Sequence, residues 1–264
     1  MNVLVLDLDD TLVDDTLATR ESVTAALTSA HIATDPTVID NAFTHIRKMW
    51  SRHPHRRTGP LAAVSGWEAL WLPHEGSGLP AAVDGSLRVY ETQVWTTIIE
   101  SMHGDPTQAP AAARAFRAYR RGALRLLPGV EDGLESLRKD HALWVATNGL
   151  PAQQRMKLAA TRLTPIFDRV WISGEVGAAK ADPAFAAALQ RAVRQNGQKI
   201  CFVIGDSATQ DLALAGNGSW PAAHICRNQT CSVEVPAEAA VAHAAALDQV
   251  DLVCGCARTT SPSA

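Results

Sequence analysis

The chain lacks what several specialised protein classes require. None of its 264 residues fall in a run of eighteen or more apolar positions, so no transmembrane helix is expected. Its net charge of −3 is too small to recruit nucleic acid or a membrane surface through bulk electrostatics. The N-terminus has no basic leader region, and its first apolar run stops at Asp7, against a secretory signal. Cysteine is absent before position 201, and the five present stand at 201, 226, 231, 254 and 256. Cys226-x4-Cys231 with Cys254-x-Cys256 departs from standard zinc spacings. Reduced thiols in a cytoplasmic protein are therefore expected, with Cys201 and Cys226 packed on strands. What is present, 47% hydrophobic and 19% charged residues, describes a soluble globular chain with enough apolar mass for a core. The length allows one large domain or two ordinary ones.

The opening residues carry the most information. Asn2-Val3-Leu4-Val5-Leu6 runs into Asp7-Leu8-Asp9-Asp10-Thr11. A short apolar run ending in clustered acids reads as a buried parallel strand with carboxylates at its carboxyl end, the edge where open α/β sheets bind ligands. Asp7 and Asp9 are two apart and would point the same way on an ideal strand. Two close carboxylates repel unless a cation or shared proton neutralises them. The pair is a candidate metal and acid–base site; the alternative is an acidic turn capping the next helix.

From Asp14 to about Arg125 the pattern is helix after helix. Helices are expected over Glu21–Ala30, Val38–Trp50, Ala62–Leu72, Leu87–Met102 and Ala109–Leu126, with a loop over Pro73–Pro80. After Leu127-Pro128-Gly129, helices at Val130–Asp140, Pro151–Ala160, Asp182–Gln195 and Asp211–Ala215 alternate with strands at Ala142–Ala146, Val170–Ile172, Ile200–Ile204 and Ala222–Cys226. Alternation of this kind implies βαβ units and a parallel sheet. The fold class expected is α/β: a Rossmann-like parallel-sheet core over residues 1–14 and 126–257, an all-helical insert over 15–125, and a disordered tail over 258–264.

Three further segments carry chemistry. The strand Ala142–Ala146 delivers Thr147-Asn148-Gly149, a set of donors suited to phosphate oxygens and also an ordinary turn. The strand Ile200–Ile204 delivers Gly205-Asp206-Ser207 with Asp211 following, hard oxygen donors suited to Mg2+. Between them Lys180 stands just before a helix opened by Asp182 and Pro183, one cation placed to neutralise carboxylate and phosphate.

Taken in order, Asp7–Thr11, Thr147–Gly149, Lys180 and Asp206–Asp211 resemble the four motifs of the haloacid dehalogenase superfamily of hydrolases. The likeness is close in Asp7–Thr11, in Leu127–Gly149 and from Phe167 to Asp211, while the helical insert is similar only in position and character to that family's cap domain. The resemblance implies that Asp7 is the nucleophile, forming an aspartyl-phosphate, and that Asp9 is the general acid and then the base. It implies that Thr147, Asn148 and Lys180 bind the phosphoryl group. It implies Mg2+ held by Asp7, the Asp9 carbonyl and Asp206, with Asp211 assisting directly or through water. Asp9 points to the phosphatase branch, because the dehalogenases proper have no acid at that position and need no metal. The chain departs from the family in having Ala181, rather than Pro, directly after the lysine. The expected activity is hydrolysis of a small phosphorylated metabolite by a monomer or homodimer. Alternatives are a phosphomutase, a dehalogenase or a non-catalytic binding module.

Substrate choice is expected to lie in the insert. Arg47, Lys48, Trp50 and Arg52, in the basic stretch that runs to Arg57, are candidates for a second anionic group or an aromatic ring. Against this stands a solvated helix end, and for Trp50, Trp67, Trp71 and Trp95 plain core packing. Sugar phosphates, nucleotides and specialised-metabolite phosphates all stay open.

Overall fold

The computed structural model describes residues 2–56, 59–71, 78–227 and 241–250. Cys231, Cys254, Cys256 and the expected tail at 258–264 lie outside these residues, as do Arg57 and most of the expected loop at 73–80.

Strand β1 (Asn2–Leu6) is apolar and buried from Val3 onward because both its faces are covered. Leu4 and Leu6 face one cluster with Leu143, Val145 and Ile204, whereas Val3 and Val5 face another with Trp144, Ala146 and Val203. After β1 the chain forms helices α1 (Asp15–Ser29), α2 (Pro36–Ser51), α3 (Gly66–Ala69), α4 (Ala81–Ser101) and α5 (Ala109–Gly122). These enclose their own apolar cluster, including Leu27, Ile46, Trp50, Trp95, Ile98 and Phe116. The Arg120 guanidinium of α5 pairs with Asp15 of α1, and both are buried.

The chain then returns through α6 (Val130–Leu137) to β2 (His141–Thr147), α7 (Pro151–Ala160), β3 (Arg169–Ile172) and the single turn α8 (Ser173–Val176). It continues with α9 (Pro183–Gln195), β4 (Lys199–Gly205), α10 (Ala213–Gly218), β5 (Ala222–Ile225) and β6 (Val241–Ala244). All six strands are parallel, in the order β3-β2-β1-β4-β5-β6. Leu6 is paired with Val145 on one side and Ile204 on the other. The carboxyl ends of β1, β2 and β4 therefore lie side by side. The connection order reverses between β1 and β4, the point at which such sheets bind ligands.

Three local expectations need correction. The helix expected over Ala62–Leu72 is a 3-10 turn at Gly59–Leu61 followed by the one-turn α3. Ser65 starts α3 by a reciprocal cap: its hydroxyl accepts from Glu68 N while Glu68 takes the Ser65 N–H at 2.9 Å. The helix expected over Asp211–Ala215 starts as a π-turn at Ala208–Leu212 and becomes α10 only at Ala213. Strand β6 was not anticipated. The short segment Val241–Ala244, in an alanine-rich stretch, is seen as a strand by its pairing with β5.

Candidate active site

The β1–β4 ladder runs one residue beyond the strand, with Asp7 N donating to Ile204 O at 2.8 Å. Asp7 is thereby fixed at the sheet edge with its carboxylate buried. The chain then turns sharply: Leu12 N and Val13 N both donate to Leu8 O, and Asp10 adopts φ 60. Asp10 meets that left-handed geometry with its carboxylate occupied, accepting from Thr16 N and Thr16 Oγ1 at 2.7 Å each. Asp7 and Asp9 have different partners. Each meets its own lysine.

Asp7 pairs with the buried Lys180 ammonium, which also donates to Asp211 Oδ1 at 2.6 Å. The Thr11 hydroxyl lies 3.3 Å from both Asp7 Oδ2 and Asp206 Oδ1. Lys180 is held by its backbone as well: its N–H donates to Asn148 Oδ1 at 2.9 Å, while Asn148 Nδ2 donates to Gln210 Oε1 at 2.9 Å. Asp182 caps α9 by accepting from Ala184 N, which fixes the turn that presents Lys180 even with Ala181 in place of proline. Thr147 is buried at the end of β2, its hydroxyl 3.2 Å from Asn148 O. The Ser207 N–H donates to Asp211 Oδ2 at 3.0 Å, and His224 Nε2 lies 2.8 Å from Asp206 O. Asp7, Lys180, Asp206 and Asp211 thus lie together at the carboxyl end of the sheet, with Asn148 bonded to the Lys180 N–H and Thr147 beside it at the end of β2.

The charges there are unbalanced. Asp7, Asp206 and Asp211 each offer a carboxylate oxygen, all within 4.8 Å of one another, and Lys180 pairs with two of them while Arg227 acts on Asp206. Burial, then the neighbouring charges of Asp7 and Asp211, push the Asp206 carboxyl up to about 8. Burial and the charge of Asp211 push Asp7 up to about 6, against the pull of Lys180. Burial alone would draw the Lys180 ammonium down, but Asp211 and Asp7 hold it above its ordinary value. Hard oxygen donors carrying excess negative charge fit a divalent cation.

Asp9 lies in a second network that the sequence did not reveal. Lys157 of α7 has no exposed side-chain surface and places Nζ 2.8 Å from both Asp9 oxygens. The same ammonium reaches Asp15 Oδ1 at 2.9 Å and Glu68 Oε1 at 3.4 Å. Gln154, one turn earlier, directs Nε2 at Asn148 O and Glu68 Oε1, 2.9 Å each, and at Asp9 Oδ2 at 3.3 Å. Burial raises the Asp9 carboxyl well above its usual range; Lys157 opposes this, and Asp15, Glu68 and Asp7 add to it.

The residues proposed from the helical insert divide differently. Trp50 is buried, donates Nε1–H to Val64 O at 2.9 Å and stacks on His53. Trp71 and Trp95 are also buried, and Trp67 packs against Phe43. Arg47, Lys48 and Arg52 are exposed, Arg47 lying over the Phe43 ring.

A parallel α/β sheet whose central strand ends on a lysine-paired aspartate, with two more carboxylates beside it, has the layout of a hydrolase core with an acidic reaction centre. Residues 1–218 match the family described as haloacid dehalogenase-like hydrolase. The chain is 32% identical over 188 residues to a phosphoserine phosphatase of Thermus thermophilus, spanning 69% of this chain and 72% of that protein. It is 30% identical over 135 residues to the pyrimidine 5'-nucleotidase PynA of Streptococcus pneumoniae, spanning 49% of this chain and 57% of that one. In fold it is similar to the magnesium-bound YfnB structure from Bacillus subtilis, with TM-score 0.65 and 16% identity over 94% of this chain and 95% of the other. The chain belongs to the haloacid dehalogenase-like hydrolases. Among the described residues, no helix is long and apolar enough to cross a membrane.

Proposed function

We propose that the protein is a Mg2+-dependent phosphomonoesterase acting on a small phosphorylated metabolite. The observation that carries this reading is Lys180, whose one ammonium pairs with both Asp7 and Asp211 beside the Asp206 carboxylate. The names of the two curated relatives, a phosphoserine phosphatase and a nucleotidase, support the substrate class.

In the first step an Asp7 carboxylate oxygen attacks phosphorus as the ester P–O bond breaks, giving an acyl phosphate on Asp7. Asp9, whose carboxyl is raised well above its usual range by burial, gives its proton to the departing alcohol oxygen. In the second step Asp9 takes a proton from water, which attacks phosphorus, releases inorganic phosphate and restores Asp7. Splitting the hydrolysis in this way replaces one difficult displacement by two easier ones. The Lys180 ammonium, the Thr147 hydroxyl and Asn148 bind the phosphoryl oxygens, and Lys180 also orients Asp7. Asp7, the Asp9 carbonyl and Asp206 would hold Mg2+, with Asp211 helping directly or through water. When bound, the ion neutralises charge on the transferring phosphoryl group.

Residues 15–125 act in this reading as a cap on a core formed by residues 1–14 and 126–257, excluding water from the reaction centre. Its α3 meets the core directly, with Gln153 Nε2 donating to Glu68 O at 3.1 Å. The test is phosphate release from a panel of phosphomonoesters with Mg2+ and with chelator. Mg2+-dependent release that Asp7→Asn abolishes is expected; metal-independent turnover, or full activity in that variant, overturns the reading.

A further inference from the structure

We infer that Lys157 is a positioning residue for Asp9: it grips the carboxylate of the proposed acid–base group and ties that grip to the docked helical segment. The inference rests on the assignment of Asp9 as the general acid.

Asp9 sits in the turn that follows β1, next to the left-handed Asp10, so its own backbone leaves its carboxylate direction open to its neighbours. Two side chains supply that direction, and both come from α7. Lys157 Nζ sits 2.8 Å from each oxygen and Gln154 Nε2 3.3 Å from one. A helix presents residues three apart on one face, so Gln154 and Lys157 reach Asp9 together.

The grip is shared with the helical segment. An ammonium has three N–H donors, and Lys157 spreads them over Asp9, Asp15 of α1 and Glu68 of α3. Asp15 is already paired with the buried Arg120, so it does not need Lys157 as its only cation. A lysine serving the fold alone would need a single acceptor oxygen beyond Asp15 and Glu68. The two-oxygen hold on Asp9 goes beyond that need. Burying an ammonium this completely is costly unless every proton finds an acceptor, so Lys157 takes this position only with the helical segment docked. The proposed acid is therefore fully oriented when α1 and α3 are seated on α7.

The test separates positioning of an acid from a general structural role. p-Nitrophenyl phosphate releases a stable anion and needs little help from an acid, whereas phenyl phosphate gains more from protonation. Lys157→Met should lower kcat/KM, which reports the alcohol-releasing first step, on phenyl phosphate by about 10²-fold, the low end of what a placed acid contributes, and on p-nitrophenyl phosphate by less than about threefold. Because Asp9 also activates water in the shared second step, kcat should fall on both substrates, and Lys157→Arg should recover most of the phenyl phosphate kcat/KM. Adding Lys157→Met to Asp9→Asn should cause no further loss, because the two act through one group.

Removing the cation leaves Glu68 uncompensated, so the same measurement is made on Lys157→Met combined with Glu68→Gln, which restores the charge balance. Equal losses of kcat/KM on both substrates in either folded variant, or additive losses with Asp9→Asn, overturn the proposal. Failure of the phosphatase reading shows separately, as activity that survives Asp7→Asn. Failure of the Asp9 assignment shows as an Asp9→Asn variant that loses kcat/KM equally on both substrates.

Discussion

Gly205 lies directly beneath Asp211: a Cβ at position 205 would fall 2.2 Å from the Asp211 carboxyl. The glycine that ends β4 is needed because Asp211 returns over it after one π-turn to reach Lys180 at 2.6 Å. Gly205→Ala should push Asp211 aside and break that pair without touching the nucleophile. Overpacking of this kind costs about 1–3 kcal/mol. The expected result is a lower urea midpoint together with a fall in kcat, measured on a phosphomonoester that the wild type cleaves. Unchanged values for both would show that Asp211 and Lys180 can shift together at no cost.

Three clustered carboxylates also predict a stability effect that needs no substrate. An ion that binds only the folded chain stabilises it by about 2.7 kcal/mol at a hundred times its dissociation constant. Thermal melts should move upward with added Mg2+ and return on chelation. Asp206→Asn removes one hard donor and one charge, and should shrink that upward shift. A wild-type melt indifferent to Mg2+ would argue against a cation among Asp7, Asp206 and Asp211.

The two halves of the site were not equally visible in the sequence. Asp7, Thr147, Lys180 and Asp206 follow apolar strands or precede a helix, so the alternating pattern marked them as candidates and the ordered family motifs suggested their roles. Lys157, Gln154 and Glu68 were missed for a physical reason. Polar residues three apart on an alanine-rich helix look like a solvated face, and only the docking of α3 and α1 turns that face inward. One missed boundary did leave a signal. Ser65-Gly66-Trp67-Glu68 has the Ser-x-x-Glu spacing of a capping box and marks the start of α3, so a continuous helix from Ala62 was the wrong reading. The partners of Asp9 were not legible, because both come from α7, far away in the chain.

The buried Asp15–Arg120 pair predicts how the fold responds to acid. Burial alone would raise the Asp15 carboxyl, but Lys157 and Arg120 outweigh it and hold the group well below its ordinary value of 3.8. A carboxyl depressed in the folded state binds protons more tightly when unfolded. Its stabilising contribution is therefore complete above about pH 4 and is lost as the pH falls through the depressed value. Asp15→Asn should cost about 3–5 kcal/mol near neutrality, the usual result of breaking a buried ion pair. It should also flatten the loss of stability below about pH 4. Denaturant melts of both proteins between neutral and acid pH provide the check, and parallel curves would remove Asp15 from the account.

Trp50 and its basic neighbours divide between packing and surface roles. The Trp50 ring is buried among the helices of residues 15–122, its N–H held by Val64 O at 2.9 Å, and its face stacks on His53. Trp50→Ala should therefore cost about 3–5 kcal/mol, as large-to-small changes in a packed core do. It should not change the ranking of substrates for the fraction that remains folded. Arg47, Lys48 and Arg52 are exposed, and exchanging any one of them for alanine should change stability by no more than about 0.5 kcal/mol. If these three serve a second anionic group on the substrate, their loss raises KM for doubly charged substrates and leaves p-nitrophenyl phosphate alone. A phosphomonoester panel run on the four variants separates the roles: a changed substrate ranking in Trp50→Ala would place that ring in contact with substrate, against its buried position.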